Sequence, residues 1–348
     1  MFKSANEIGT ALLEAGLPVV DAQRLAQWAK PAVWLATRPV DDEAEIAIGT
    51  TKLGGRPDLP ASAAWPVRDA YPGAANLWKG YREALARPDV RWGWATPEQR
   101  TEFVAETVER MKRIESAFPL TFVAQVNFAE MWAAGPLDSD IPASGIMSVF
   151  YDLTEQPSGF DPHERFGFSI LFHEVAQGPL TRRDPPSAIR ALPPDYQLDP
   201  LACQPAACFT PLPISTAQFR ELNLSDESTD LLHDWWCNDD HLYSSQDGVD
   251  WRCHHVGGWP NPIQGTCMQI ESALVNAGHN CGNTAAYQAP ELAPVRTEAA
   301  AWLLLAQIGS DEPGNLVWGD SGQLYVWIRR PDLVARRFDQ AHLILQYY

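Results

Sequence analysis

Leu53-Gly54-Gly55-Arg56-Pro57 returns further along the chain as Val256-Gly257-Gly258-Trp259-Pro260, and the reading of the fold turns on this echo. Three more echoes follow in the same order. Phe122-Val123-Ala124-Gln125-Val126 is answered by Leu304-Leu305-Ala306-Gln307-Ile308, and Gly145-Ile146-Met147-Ser148-Val149-Phe150 by Gly322-Gln323-Leu324-Tyr325-Val326-Trp327. Phe168-Ser169-Ile170-Leu171-Phe172 is answered by His342-Leu343-Ile344-Leu345-Gln346. The offsets between matched positions are 203, 182, 177 and 174. Ordered self-similarity predicts an internal duplication. Since the matched segments are apolar and β-prone, the predicted class is α+β. Its core is an internally duplicated, mainly antiparallel β-sheet with peripheral helices and an N-terminal helical pair.

Outward from these landmarks, Ser4-x-x-Glu7 reads as a capping box for a first helix, and Asp21 as the cap of a second that Pro31 ends. Thr96-Pro97-Glu98-Gln99 combines an N-cap, proline at the first helical position and a glutamine that can close the box. Phe103, Thr107, Met111, Ile114 and Phe118 then line one helical face. Leu120 to Phe128 reads as a buried strand, and Phe166 to Phe172 alternates with the period of a strand. Prolines crowd 178–213, which predicts an extended connector. Helices are expected from Ser215 and over Asp226 to Trp236, and strands over Trp302 to Ile308, Gln323 to Arg330 and Ala341 to Tyr348. The expected division is a helical extension at 1–44, a first half at 45–177, the connector at 178–214 and a second half at 215–348.

The chain has 348 residues, 45% hydrophobic and 20% charged, which is the composition of a folded globular protein. Its 26 basic and 44 acidic residues leave a formal charge of −18. Phosphate-binding surfaces need basic excess, so nucleic acid and anionic membrane are poor partners. No apolar run approaches the roughly 20 residues of a membrane span, and no signal peptide is visible, so a cytoplasmic location is expected. All six cysteines fall in the second half, at 203, 208, 237, 253, 267 and 281. In a long chain without a secretion signal they read as reduced thiols.

The landmarks taken jointly resemble the YwqG-like family, a bacterial domain family of unknown function known as DUF1963. The resemblance runs through Lys52 to Pro60 with Trp65-Pro66, through Phe122 to Val126, and through Leu137 to Ser148. It resumes at His255-Val256-Gly257-Gly258-Trp259-Pro260-Asn261-Pro262-Ile263-Gln264, and continues in Leu303 to Ile308, Trp318 to Ile328 and Asp332-Leu333. It spans about 45–348 and implies an α+β fold with a duplicated sheet and a bacterial cytosolic setting. It implies no reaction. One departure stands out: 70 residues separate Gly55 from Gln125, against 49 from Gly258 to Gln307. A protein-specific function could sit in that insertion.

Chemistry-bearing residues cluster between His233 and Cys281. Zinc prefers short-spaced Cys and His pairs, which makes Cys237, His241, His279 and Cys281 the candidate metal set. Cys253, His254, His255 and Cys267 lie between them. No Cys-x-x-Cys is present, so neither metal nor cofactor is expected. A hydrolase would use Cys253 with His255 and Asp320, since a thiolate needs an adjacent imidazole. No Gly-x-Ser-x-Gly elbow or phosphate-binding loop supports other enzyme classes. The leading reading is a non-catalytic binding or protein-interaction module for an unknown protein or small polar ligand. Its candidate contacts are Trp78, Gln125, His255, Gln264, Gln307, Trp318 and Asp320. Gln125 and Gln307 lie in apolar strands and must each find partners: the same Gly-Gly turn feature in each half, or alternatively a polar pocket at the pseudo-twofold axis. Gly319 and Gly322 are expected at positive φ in the turn around Asp320. Within the insertion, Trp92 is expected buried and Trp78 exposed.

Overall fold

A computed structural model describes residues 2–72, 74–174, 179–237, 254–265 and 267–348, with backbone alone at 75–78 and 237. In chain order its strands are β1 (Lys30–Pro39), β2 (Lys52–Leu53), β3 (Asp58–Pro60), β4 (Val67–Arg68), β5 (Phe118–Pro119), β6 (Thr121–Asn127) and β7 (Ile146–Tyr151). They continue with β8 (Phe168–His173), β9 (Leu180–Arg182), β10 (Leu201–Thr210), β11 (His254–Gly257), β12 (Trp302–Gly309), β13 (Gln323–Arg329) and β14 (His342–Gln346). Ten of them form one antiparallel sheet in the order β14-β13-β12-β11-β1-β10-β2-β6-β7-β8.

The sheet curls until its two edges meet, nearly a barrel. Phe172 on β8 stacks on Phe338 just before β14, with ring centroids 4.3 Å apart. Phe168 meets the edge of the His342 ring at 5.8 Å. Inside lies an apolar filling that includes Val33, Val123, Val149, Ile308, Val326 and Leu343. Curling the sheet hides one face and covers both edges, which removes the exposed ladder groups that invite aggregation. Helices cover the outer face. α1 (Ala5–Glu14) and α2 (Val19–Gln27) join α8 (Ala217–Glu221) and α9 (Asp226–Cys237) around Trp235 and Trp259. α10 (Met268–Asn276) packs on Tyr325 and Trp327. No helix among the described residues is long and apolar enough to cross a membrane.

The two sides of the sheet share detailed features. β6 and β7 carry a bulge between Phe122 and Ala124, and β12 and β13 carry one between Leu304 and Ala306. Gln125 pairs with Lys52 on one side and Ser148 on the other, while Gln307 pairs with His255 and Tyr325. These positions keep the sequence offsets of 203, 182 and 177. The fourth landmark slips by one. Ser148 faces Leu171 and Tyr325 faces Ile344, which sets that offset at 173.

Several elements differ from the sequence reading. Phe118, expected on the helical face, lies in β5. Pro31 does not stop a helix; it follows Lys30 into β1, the ten-residue strand at the middle of the sheet. Nor are 178–214 a mere connector, because β9 and the ten-residue β10 lie there. β10 pairs with β1 along its whole length, from Lys30 opposite Thr210 to Pro39 opposite Leu201. Each outer set of four strands is thus completed by a strand from outside 45–177 and 215–348. Asp21 sits in the first turn of α2, whose N-cap is Pro18.

Candidate functional site

Gln125 and Gln307 have no exposed surface. Gln125 Oε1 accepts the Asp58 N–H at 2.9 Å, and its Nε2 donates to the Thr50 carbonyl at 2.8 Å. Gln307 Oε1 accepts the Asn261 N–H at 2.8 Å. Asp58 and Asn261 each lie four residues past the first glycine of their Gly-Gly turn. The geometry explains the glycines too: Gly54 and Gly257 have φ of +60° and +71°. Both amides are clamps on a turn, fully committed to the fold, with four strands between them in the sheet.

Around the first clamp lies an ionic frame that the sequence reading missed, buried at Lys52, Glu43 and Asp58, nearly buried at Arg182, and open to solvent at Arg56 and Asp184. Lys52, fully buried on β2, sends Nζ to Glu43 Oε1 at 3.1 Å and Asp58 Oδ1 at 3.4 Å. Arg182 reaches Asp58 at 2.9 Å, and Arg56 reaches Glu43 at 2.7 Å and Asp184 at 2.9 Å. Burial pushes the Asp58 carboxyl up, but Arg182, the Gly49 N–H and Lys52 outweigh it, so its pKa falls below the usual range. Burial also lowers the Lys52 pKa, against the pull of Asp58 and Glu43. Three cations face three carboxylates, so the frame is neutral and structural. Its one early signal was a lysine inside the apolar landmark.

The histidines on β11 do not form a catalytic dyad. His255 is buried, its Nδ1 donates to the Gly257 carbonyl at 3.0 Å, and burial lowers its pKa to about 4. His254 Nδ1 accepts the Gly309 N–H at 3.2 Å while Nε2 donates to Asp311 Oδ2 at 3.2 Å. Thr37 Oγ1 donates to the same Asp311 oxygen at 2.6 Å. Here the carboxylate sits between hydroxyl and imidazole, so neither ring nitrogen of His254 is left to take a proton from Thr37. The cluster ties β1 to the loop after β12.

Asp320 is exposed in the hairpin, and no hydrogen bond joins it to His255. Trp318 beneath it is buried, donates Nε1 to the Gly309 carbonyl at 2.9 Å and stands edge-on to Tyr151. Positive φ falls on Gly319 and Ser321, not on Gly322. Gly322 is needed for close approach instead, since a Cβ would lie 2.5 Å from the Gln346 and Trp318 carbonyls. Gln264 is half-buried and its Nε2 donates to the Tyr347 carbonyl at 3.1 Å.

Of the candidate metal set, His241 lies outside the described residues, as does Cys253, and the Cys237 side chain is not described. Cys281 is buried, and burial with Glu271 pushes its thiol up to about 12, far from thiolate character. His279 is half-buried beside it and gives its carbonyl to Cys281 Sγ at 3.8 Å. Among the described residues no three metal-ligating side chains converge. Burial raises the Cys267 thiol pKa as well.

A large concavity lies elsewhere, in the insertion. α3 (Ala74–Ala86), α4 (Pro88–Arg91) and α5 (Pro97–Ile114) enclose a cleft of about 1000 Å³. The expected capping box is present: Gln99 N–H donates to Thr96 Oγ1 at 3.3 Å, and Thr96 N–H to Gln99 Oε1 at 2.9 Å. Along α5, Ile114 is buried at the base while Phe103 lines the cleft with Tyr81 and Trp92. The Phe103 ring lies 5.8 Å from Trp92 and 5.7 Å from Trp94. Trp92 is half-buried, not sealed as expected, and Trp94 and Val90 are 76% and 77% exposed. Arg110 lies under Tyr81 at 5.2 Å and is anchored to Glu155 at 2.9 Å. Arg87 and Arg91 line the same cleft and make no ion pair among the described residues. Trp78 belongs to α3, with its side chain undescribed.

The protein so defined is a curled antiparallel sheet, jacketed by helices and carrying one aromatic, arginine-lined cleft on an inserted helical arm. The chain belongs to the DUF1963 family, a domain of unknown function, whose match covers residues 51–346. α1, α2 and β1 precede the matched region. No curated protein matches the chain.

Proposed function

We propose that this protein is a non-catalytic binding module whose inserted cleft captures an acidic protein segment bearing apolar side chains. The cleft itself carries the reading: aromatic walls, two arginines with no ion pair among the described residues, and an exposed Trp94 at its lip. Charge supports it. Residues 74–114 hold eight basic and six acidic residues, net +2, while the rest of the chain carries −20. An acidic segment would be repelled from most of the surface and drawn to this arm. Trp and Arg are also the usual anchors of protein interfaces.

The scaffold in this reading is an internally duplicated sheet of the YwqG-like kind, and the matched bulges and glutamine clamps support that. A bacterial cytoplasmic setting accords with the free thiols of Cys203, Cys208, Cys267 and Cys281. The hydrolase alternative rests on Cys253, outside the described residues. The test is selection from a random peptide display library on the full chain. Enriched peptides should be acidic with Phe, Leu or Trp, and should lose binding to an Arg87→Glu/Arg91→Glu variant that unfolds at the same temperature. No acidic enrichment, or equal binding by the variant, would defeat the reading.

A further inference from the structure

Lys30 opens β1 in an unusual setting. Trp259 below it is locked in place: its N–H donates to Thr210 Oγ1 at 2.7 Å and its indole Nε1 to the Trp28 carbonyl at 2.6 Å. Lys30 Nζ stands 3.4 Å from the centroid of that ring. The other four lysines are ordinary by comparison. Lys52 is sealed in the ionic frame, Lys112 pairs with Glu109 at 2.6 Å, and Lys3 and Lys79 are exposed. Among the described residues the Lys30 ammonium has no hydrogen-bond acceptor or ion-pair partner.

The charges that face Lys30 explain why. Asp138 is near enough to act on it, and so is Arg330. Arg330, however, takes Asp138 for itself, with bonds of 3.0 and 3.2 Å, and also pairs with Asp140. Lys30 is left half-buried beside an occupied carboxylate and a second cation. Burial, helped by Arg330 and opposed by Asp138, lowers its pKa to about 8. A small cavity of about 50 Å³ opens next to it, walled by Ile141, Leu303 and Leu304 and floored by Gly257-Gly258.

We propose that Lys30 is an acyl-acceptor site, its amine taking a small acyl group from an acyl phosphate and lodging that group in the cavity beside Gly257-Gly258. The neutral amine donates its lone pair to the acyl carbon. The bond from that carbon to the phosphate oxygen breaks, inorganic phosphate leaves, and the displaced amine proton passes to solvent. The product is a neutral amide. It ends the desolvation cost of a half-buried cation and sets a methyl against three aliphatic side chains. The contact with the Trp259 ring is lost in exchange.

The probe is acetyl phosphate on the full-length protein near pH 7.5, with each lysine quantified by peptide mass spectrometry. A pKa lowered by about 2.5 units multiplies the free-base fraction about 200-fold, and lower nucleophilicity offsets roughly half of that on a logarithmic scale. Lys30 should therefore acetylate on the order of tenfold faster than Lys3 and Lys79. Its rate should level off above about pH 8, while theirs keep rising. Arg330→Gln should free Asp138 to pair with Lys30 and slow it severalfold, leaving Lys3 and Lys79 unchanged. Labelling of Lys30 no faster than the exposed lysines, or a rate that rises in step with theirs, overturns the proposal. So does an Arg330→Gln variant, unfolding normally, in which Lys30 reacts as before.

Discussion

Mild acid should destabilise this protein, because two imidazoles are buried in neutral form. Burial lowers the His255 pKa to about 4 and, with Arg165 adding to it, the His342 pKa to about 3. Unfolded, each returns to about 6.5. Folded values depressed in this way give stability that is complete above about pH 6.5 and drains away as pH falls toward the folded values. Between pH 7.5 and 5.5 each histidine should cost about 1.3 kcal/mol, about 2.7 kcal/mol together, from proton uptake by the unfolded chain alone. Glu155 works in the opposite direction, since burial raises its pKa, and it is common to the wild type and the variant compared below. The assay is urea unfolding at several pH values on the wild type and on His342→Phe. His342 sits between the rings of Phe168 and Trp302, and its Nε2 has no partner, so phenylalanine suits the site. The variant should lose stability over this range by about half as much as the wild type. Parallel losses, or a flat wild-type profile, would refute the reasoning.

Two further outcomes follow from the buried polar frame. Gln125→Leu and Gln307→Leu each strand a turn N–H, and each should cost about 1–3 kcal/mol in urea unfolding; the double variant should show the sum, because four strands separate them. Lys52→Met leaves Glu43 and Asp58 with one cation fewer in a dry site, and a loss of about 3–5 kcal/mol is expected; under 1 kcal/mol would mean the frame is not a coupled unit.

The strands that were legible carry their own pattern. β6, β12 and β13 are buried, largely apolar runs, and β8 alternates. The α5 start was legible because Thr96, Pro97 and Gln99 each have a local mechanism at a helix N-terminus. β1 and β10 were hidden by proline. Pro205 is tolerated because β10 keeps β1 on one edge, while its pairing with β2 ends at Ala202, leaving no strand on the other edge to miss an N–H. α10 was hidden for the opposite reason. Eight of its nine residues are buried, so no polar face marks a helical period. The ionic frame joins Glu43, Lys52, Arg56, Asp58, Arg182 and Asp184, and charges so far apart in sequence announce nothing until the chain folds. The cleft was legible only as a place, the long insertion, and not as a shape.

The neck of that insertion connects fold to function. β4 and β5 pair as Val67 with Pro119 and Arg68 with Phe118, so the arm leaves and re-enters the scaffold at one point. Arg68 locks the point. Its buried guanidinium bonds Asp152 at 2.5 Å, the Ser116 carbonyl at 3.0 Å and the Arg113 carbonyl at 3.1 Å. Tyr71 donates to the same Asp152 oxygen at 2.9 Å. Asp152 follows directly after β7, so the arm is fixed to the core at its base while its tip, with Val90 and Trp94, stands in solvent. Fixing the base lowers the ordering cost of holding the cleft open between its three helices. A binding surface added in this manner leaves the glutamine clamps and the sheet register untouched. That is why substitutions at Arg87, Arg91 and Trp94 should change recognition without changing the fold.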